Sequence, residues 1–312
     1  MTDLLIRPER PDEETAIGAT HLHAFHEHHT QARLVALHRG KAGFDPELSL
    51  VAEYRDRVVA HALFMPRRIR LLGTDVHAVN LVSIAVDPEF QGRGFGARVI
   101  REGHAVARAK GYSMSFVIGH PSFYTRFGYR PDAFGASTVE VPISMLPRPS
   151  LTARSVGEKD VPALHHLWSH EEGMVDFALE PGTRLDDWVS PNPNIRSTVY
   201  VRKREIVGYM RVHTAHAARP HVFLAHDHAA ALAMAADVAA EAGAQRPVQR
   251  ISLPLHPASA SAPVLGTPLC AAWGSGMALG LADSPFDDYY TQVQAGTRPT
   301  GRVIWPVEFE VE

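Results

Sequence analysis

Gln91, Gly92, Gly94 and Gly96 are the residues of this chain whose types and spacing most directly specify chemistry. They stand in the run Ile84-Ala85-Val86-Asp87-Pro88-Glu89-Phe90-Gln91-Gly92-Arg93-Gly94-Phe95-Gly96-Ala97. That run reads as an apolar strand, a turn opened by Asp-Pro, a glycine-rich loop and a helix over residues 97–110. Alternating glycines strip side chains from one surface of the loop, so a ligand can approach its backbone closely. A helix N-terminus gathers unpaired N–H groups and partial positive charge, which together hold a phosphate or pyrophosphate. Two common nucleotide sites fail on the residues. Gly92-x-Gly94-x-x-Ala97 meets the dinucleotide fingerprint, but that motif needs an acidic residue about 20 positions later to hold the ribose. No Asp or Glu lies between Gly103 and Pro131, and strand-like segments at 49–53, 58–66 and 68–72 already precede the loop. The Walker pattern fails because Gly40-Lys41 is followed by Ala42.

Gln91 narrows the ligand further. Gln91-Gly92-Arg93-Gly94-Phe95-Gly96 resembles the Q/R-x-x-G-x-G/A motif with which GNAT-superfamily N-acetyltransferases grip the pyrophosphate of coenzyme A. The run 51–131 is similar to one bacterial branch of that family. It offers Val51-Ala52-Glu53, Val59-Ala60-His61, the glycine loop and Phe123-Tyr124-Thr125-Arg126-Phe127-Gly128-Tyr129, in the branch's order and at its spacing. The resemblance implies an α/β (α+β) fold, a mixed and mostly antiparallel sheet flanked by helices, with acetyl-CoA (coenzyme A) as cofactor. It places the cofactor on Gln91, Gly92, Arg93, Gly94, Phe95 and Gly96, and the pantetheine and thioester beside residues 81–86. A bulge there would turn backbone N–H groups around Ile84, Ala85 and Val86 toward the pantetheine and the thioester oxygen. Phe123 and Phe127 are implied as packing residues or walls of the coenzyme pocket. Tyr124, four residues before Gly128, takes the position of the family's protonating tyrosine, which gives its proton to the departing thiolate. Arg126 fits either a surface position or a phosphate contact, and His120 stands where many relatives carry an acid or amide. The base is not fixed: Asn80, where some relatives use histidine, cannot take a proton at neutral pH, and Glu53, Glu27 and His26 stay open.

Composition bounds these expectations. A chain of 312 residues is long enough for one large or two ordinary domains. A net charge of −3 gives no global field toward nucleic acid or anionic membrane. The single cysteine, Cys270, cannot form an internal disulfide, which suits a reducing cytoplasm. The N-terminus lacks a basic region followed by a long apolar run, and no segment has the apolar length of a membrane span. A soluble cytoplasmic protein is expected, with homo-oligomerisation left open.

Pro142, Pro147 and Pro149 resist both helix and sheet, which predicts a linker between a domain at 1–147 and another at 150–312. After it the pattern starts again. Leu151-Thr152-Ala153-Arg154 resembles Leu4-Leu5-Ile6-Arg7, each leads into an acidic helix start, and 198–202 with 206–213 echo 50–54 with 57–64. This predicts an internal duplication with a period of about 150 residues. In the second copy the strand at 221–225 runs through His226-Asp227-His228 into an Ala-rich helix at 229–242, with no glycine between Tyr209 and Ala242. A degenerate GNAT-like domain without a pyrophosphate loop is expected there, as in tandem members of the superfamily with one live and one silent copy. The end, 302–312, alternates as a strand, with Pro306 favouring an edge.

His21, His23, His26, His28 and His29 crowd one segment, but their spacing completes no metal motif, so exposed side chains and no metal are expected. In the family the region 26–39 shapes the acceptor pocket. The resulting expectation is an N-acetyltransferase that moves an acetyl group to a primary amine of a small molecule by direct attack, with Tyr124 as general acid. A non-catalytic acyl-CoA-binding or regulatory module and a protein acetyltransferase are the alternatives.

Overall fold

The computed structural model describes residues 4–26, 28–245 and 247–311. Its first elements are β1 (Leu4–Pro8), α1 (Glu14–Ala24), α2 (His29–Arg39), β2 (Ser49–Tyr54), β3 (Arg57–Leu71), β4 (Thr74–Val86), α3 (Phe95–Ala109), β5 (Met114–Ile118) and the short α4 (Pro121–Tyr124). β6 (Phe134–Pro142), β7 (Thr152–Ser155), α5 (Val161–Glu172), β8 (Ile195–Arg202), β9 (Glu205–His213) and β10 (Val222–Ala225) follow. The chain closes with α6 (His228–Gln245), β11 (Arg250–Leu253), α7 (Ala262–Leu265), β12 (Leu269–Ala272), β13 (Gly276–Gly280), α8 (Phe286–Gln294) and β14 (Gly301–Arg302).

Side-chain alternation along the strands builds the first sheet. Leu50, Ala52, Ala62 and Phe64 face one way and pack with Val99 and Ile100 of α3. Val51 and Leu63 face the other way, against Ile17 of α1 and Val35 of α2. The strand order is β1-β2-β3-β4-β5-β13, antiparallel except where β4 runs parallel to β5. β4 and β5 pair only from Ala78–Met114 to Asn80–Phe116 and then diverge. The register of β4 on β3 also shifts, since Leu63 opposes Ser83 while Phe64 opposes Leu81. Val82 is therefore an extra residue in β4, a bulge beside the divergence.

The sequence expectation of two strands at 58–66 and 68–72 becomes one continuous β3. Pro66 is tolerated because it lies beyond the last β2–β3 pair, Ser49 with Leu63, where no β2 carbonyl awaits its missing N–H. The predicted terminal strand at 302–312 is also corrected. Among the described residues of this segment only Gly301 and Arg302 pair with β6, and residues 307–309 form a 3-10 turn after Pro306; residue 312 lies outside the described residues. Glu308 there is buried beside Arg67, Lys41 and His38, contacts that an alternating edge strand would not make.

A second sheet, β10-β9-β8-β7, carries α5 and α6. The sheets do not part at the proline-rich segment. β6, which precedes it, pairs with β11 and β12, and its Val139 and Val141 enter the core around Met210 and Phe223. In return β13 from the far end of the chain pairs with β5. β5 needs that partner because its divergence from β4 would otherwise leave two open edges.

The histidine-rich segment divides by burial. His21 is fully buried rather than exposed, with Nε2 2.8 Å from His61 Nδ1, while His23, His26, His28 and His29 are exposed. Glu27 lies outside the described residues. Among the described residues no three His, Cys, Asp or Glu side chains are grouped to hold a metal ion, and no helix is long and apolar enough to cross a membrane.

Candidate active site

The loop that joins β4 to α3 is held open from both ends. Asp87 Oδ1 accepts from Glu89 N at 3.1 Å, capping the turn at Pro88–Phe90. Gln91 Nε2 donates to Val86 O at 3.0 Å, which ties the loop back to the end of β4. Gly92 and Gly94 have φ of +74° and +79° with open space around each, so backbone conformation rather than crowding selects glycine. Gly96 is selected by space, since a Cβ there would stand 3.1 Å from Val86 Cγ2. Gly94 begins α3 and no side chain caps that helix end, so its first-turn N–H groups are presented to whatever enters.

A cleft of about 480 Å³ opens over this loop. It is lined by Ile84, Ala85 and Val86 of β4, by Phe90, Gln91, Gly92, Gly94, Phe95, Gly96 and Ala97, and by Phe123 and Arg126. Ala24 and Phe25 at the end of α1 complete it, two residues that nothing in the local sequence marked. Arg93 instead lies over the Phe90 ring at 5.1 Å, and Phe127 packs behind Phe123 at 5.4 Å, so neither is a lining residue. Arg126 stacks on Phe123 at 4.4 Å. The set suits a phosphate-bearing ligand: unpaired N–H groups at a helix start, small residues around them and an arginine at the wall.

The middle of β4 lines a second cleft of about 490 Å³. Asn80, Leu81 and the bulged Val82 meet Ile118 of β5 across the divergence, with Gln31 and Leu34 of α2 above. Asn80 is 2% exposed, and its Nδ2 donates to Phe116 O at 3.2 Å while Oδ1 has no partner. Gln31 Oε1 accepts from Ser83 Oγ at 3.0 Å. The remaining wall comes from the second half of the chain: Arg211, His221, Val303, Ile304, Trp305, Phe309 and Glu310. Glu310 Oε1 stands 2.8 Å from Arg211 Nε and 3.0 Å from His221 Nδ1. Sequence reasoning placed none of these residues at the site, because no local motif connects them to β4.

Tyr124 follows Phe123 on α4, yet lines neither cleft. Its ring lies on Gly119, where a Cβ would come within 2.2 Å, and edge-on to Phe123 and Tyr129. Burial pushes its phenol up to about 12. Of the candidates for a base, Glu53 is engaged by Arg7 and Arg10 and sits at neither cleft. His26 is exposed at φ +54° and also lines neither. His120 is exposed just before α4.

The helix start in the second half differs from α3. Asp227 Oδ1 accepts from Ala230 N at 2.7 Å at the beginning of α6, and the carboxylate is paired with Arg202. That helix end already has its anion.

Comparison with known proteins agrees with this architecture. The family model for the acetyltransferase (GNAT) domain matches residues 5–131. The N-acetyltransferase YhbS of Escherichia coli is 32% identical over 127 residues, which cover 40% of this chain and 73% of YhbS. The N-acetyltransferase YjhQ of Escherichia coli is 39% identical over 88 residues, covering 28% of this chain and only 49% of YjhQ. Among solved structures, a probable N-acyltransferase from Enterococcus faecalis superposes with a TM-score of 0.67 at 13% identity, over 92% of this chain and 74% of that one. A GCN5-related N-acetyltransferase from Kribbella flavida superposes with the same TM-score, 0.67, at 19% identity over 88% and 70% of the two chains. At such identities the two structures speak for the fold alone. With the YhbS match and the domain model, the chain belongs to the GNAT family of acetyltransferases.

Proposed function

We propose that the protein is an N-acetyltransferase that takes the acetyl group of acetyl-CoA and transfers it by direct attack to a primary amine of a small molecule. The observation that carries this reading is the course of β4, which lines one cleft with Ile84–Val86 and the other with Asn80–Val82, with the bulge on the way. The glycine loop and the uncapped start of α3 suit the pyrophosphate, with Gln91, Gly92, Gly94, Phe95 and Gly96 as its cradle. Phe123 and Arg126 flank it, and Ile84, Ala85 and Val86 suit the pantetheine arm. The second cleft is the acceptor site in this reading, and a purely acyl-CoA-binding module would have no use for it. Walls from the C-terminal segment on its far side favour a small acceptor over an extended peptide.

Tyr124 is the proposed acid. Its proton stays in place at neutral pH, because burial pushes the phenol up to about 12. Residues 1–147 are proposed to carry the transfer, with residues 150–312 a degenerate copy whose Asp227-capped helix leaves no room for a pyrophosphate. The reading is tested by thiol release from acetyl-CoA with the purified full chain and a panel of primary amines. Amine-dependent release supports it, and release that no amine stimulates contradicts it.

A further inference from the structure

We propose that His221, oriented by Glu310, is the proton acceptor for the amine, so that the second half of the chain supplies a catalytic group to the first. The inference rests on the acceptor-site reading of the second cleft. His221 Nδ1 lies 3.0 Å from Glu310 Oε1, and a carboxylate can only accept. The imidazole therefore carries its hydrogen on Nδ1 and its lone pair on Nε2. Glu310 Oε1 forms an ion pair with Arg211 Nε at 2.8 Å without hydrogen-bond geometry, and Arg211 Nη2 donates to Trp305 O at 2.7 Å. Arg211 is 4% exposed, so its charge is held beside Glu310 with little solvent screening. A base oriented by an acid that is itself held is the arrangement general-base catalysis uses. The His221 side chain is 42% exposed, which lets water take the proton away after each turnover.

The other candidates near the cleft lack one of these properties. Asn80 cannot take a proton, Glu308 is buried among Arg67, Lys41 and His38, and burial holds His21 neutral. In the transfer the amine nitrogen attacks the thioester carbon and a C–N bond forms. The nitrogen's proton passes to His221 Nε2. The C–S bond breaks with its electron pair on sulfur, which receives the proton of the Tyr124 hydroxyl. Val82, Ile118, Trp305 and Phe309 give the cleft an apolar and aromatic wall, so the acceptor class is a primary amine on an aromatic body.

The experiment measures thiol release from acetyl-CoA with 2-phenylethylamine, spermidine, lysine and glucosamine, for the wild type and His221→Ala, with acetyl-CoA binding followed by calorimetry. The wild type should turn over 2-phenylethylamine best. His221→Ala should lose about 10²-fold in kcat, as removal of general-base assistance predicts. Its acetyl-CoA affinity should be unchanged, and added imidazole should restore part of the rate, which a merely structural role would not allow. Wild-type turnover that survives His221→Ala within threefold, or a loss that imidazole does not relieve, overturns the role of His221 while leaving the acetyltransferase reading intact. A wild type that binds acetyl-CoA but releases thiol with none of the four amines removes the small-amine reading and this inference together.

Discussion

Burial decides what Tyr124 can contribute. A phenol pushed up to about 12 is a reluctant donor, so its assistance should sit at the low end of general-acid effects. Tyr124→Phe keeps the ring against Gly119 and removes only the proton, and kcat should fall about 10²-fold with little change in the KM for acetyl-CoA. Steady-state kinetics with a good acceptor check this, and retention of kcat within threefold would show that the acid lies elsewhere. A second residue-scale consequence concerns stability. Burial lowers His21 to about 2, and His38, His104 and His256 to about 4, while His61 is lowered as well. These rings stay neutral in the fold and take up protons on unfolding below the ordinary histidine value near 6.5. Burial pushes Glu9 up, but hydrogen bonds from Arg39, His61 and Ser49 outweigh it and hold the carboxyl at about 2. At each of these groups the unfolded chain binds more protons; Glu171 and Asp237, raised by burial to about 7 and about 6, oppose the trend, but the five histidines outweigh them, and stability falls as pH drops below about 6.5, by up to ~1.4 kcal/mol per pH unit for each histidine. Urea midpoints should be lower at pH 5 than at pH 7; equal midpoints would contradict the buried neutral network.

At the scale of elements, α3 is seated on β3 through Gly103, where a Cβ would come within 2.1 Å of the Phe64 ring. Phe64 is fully buried and has nowhere to go. Gly103→Ala should therefore cost ~1–3 kcal/mol by overpacking, despite alanine's better helix propensity. Urea unfolding measures it, and a stabilised variant would show that α3 can slide on the sheet. The loop and α3 were legible in the sequence because each is specified within a few residues: Asp-Pro opens a turn, glycines take positive φ, and apolar positions recur with the helix period. Pro66 misled because its cost depends on whether a neighbouring strand is present, which the local sequence does not show. Residues 302–312 misled for a similar reason. Their alternation suited a strand, but Glu308 and Glu310 point to Arg67 and Arg211, cations supplied by strands far away in sequence.

At the scale of the whole molecule, the two halves are bound by exchanged strands: β6 serves the second half and β13 the first. A fragment of residues 1–147 leaves β5 without β13 and exposes Val139 and Val141, so it should be recovered aggregated or unfolded by circular dichroism. A folded, monomeric fragment would contradict the exchange as a structural requirement. The same exchange explains why half of the candidate site was not legible. The repeat pattern predicts two copies, but no spacing rule tells that Arg211, His221 and Glu310 meet Asn80 and Val82. The central claim is that one pyrophosphate cradle exists per chain, at the start of α3, because Asp227 already occupies the matching end of α6. Titration calorimetry of the full chain with acetyl-CoA tests it most directly, run beside Gly94→Glu. One site per chain is predicted, with Gly94→Glu weakening binding by tenfold or more, since each hydrogen bond to a charged group contributes ~1.5–3 kcal/mol. Two sites per chain, or unchanged affinity in Gly94→Glu, would contradict it.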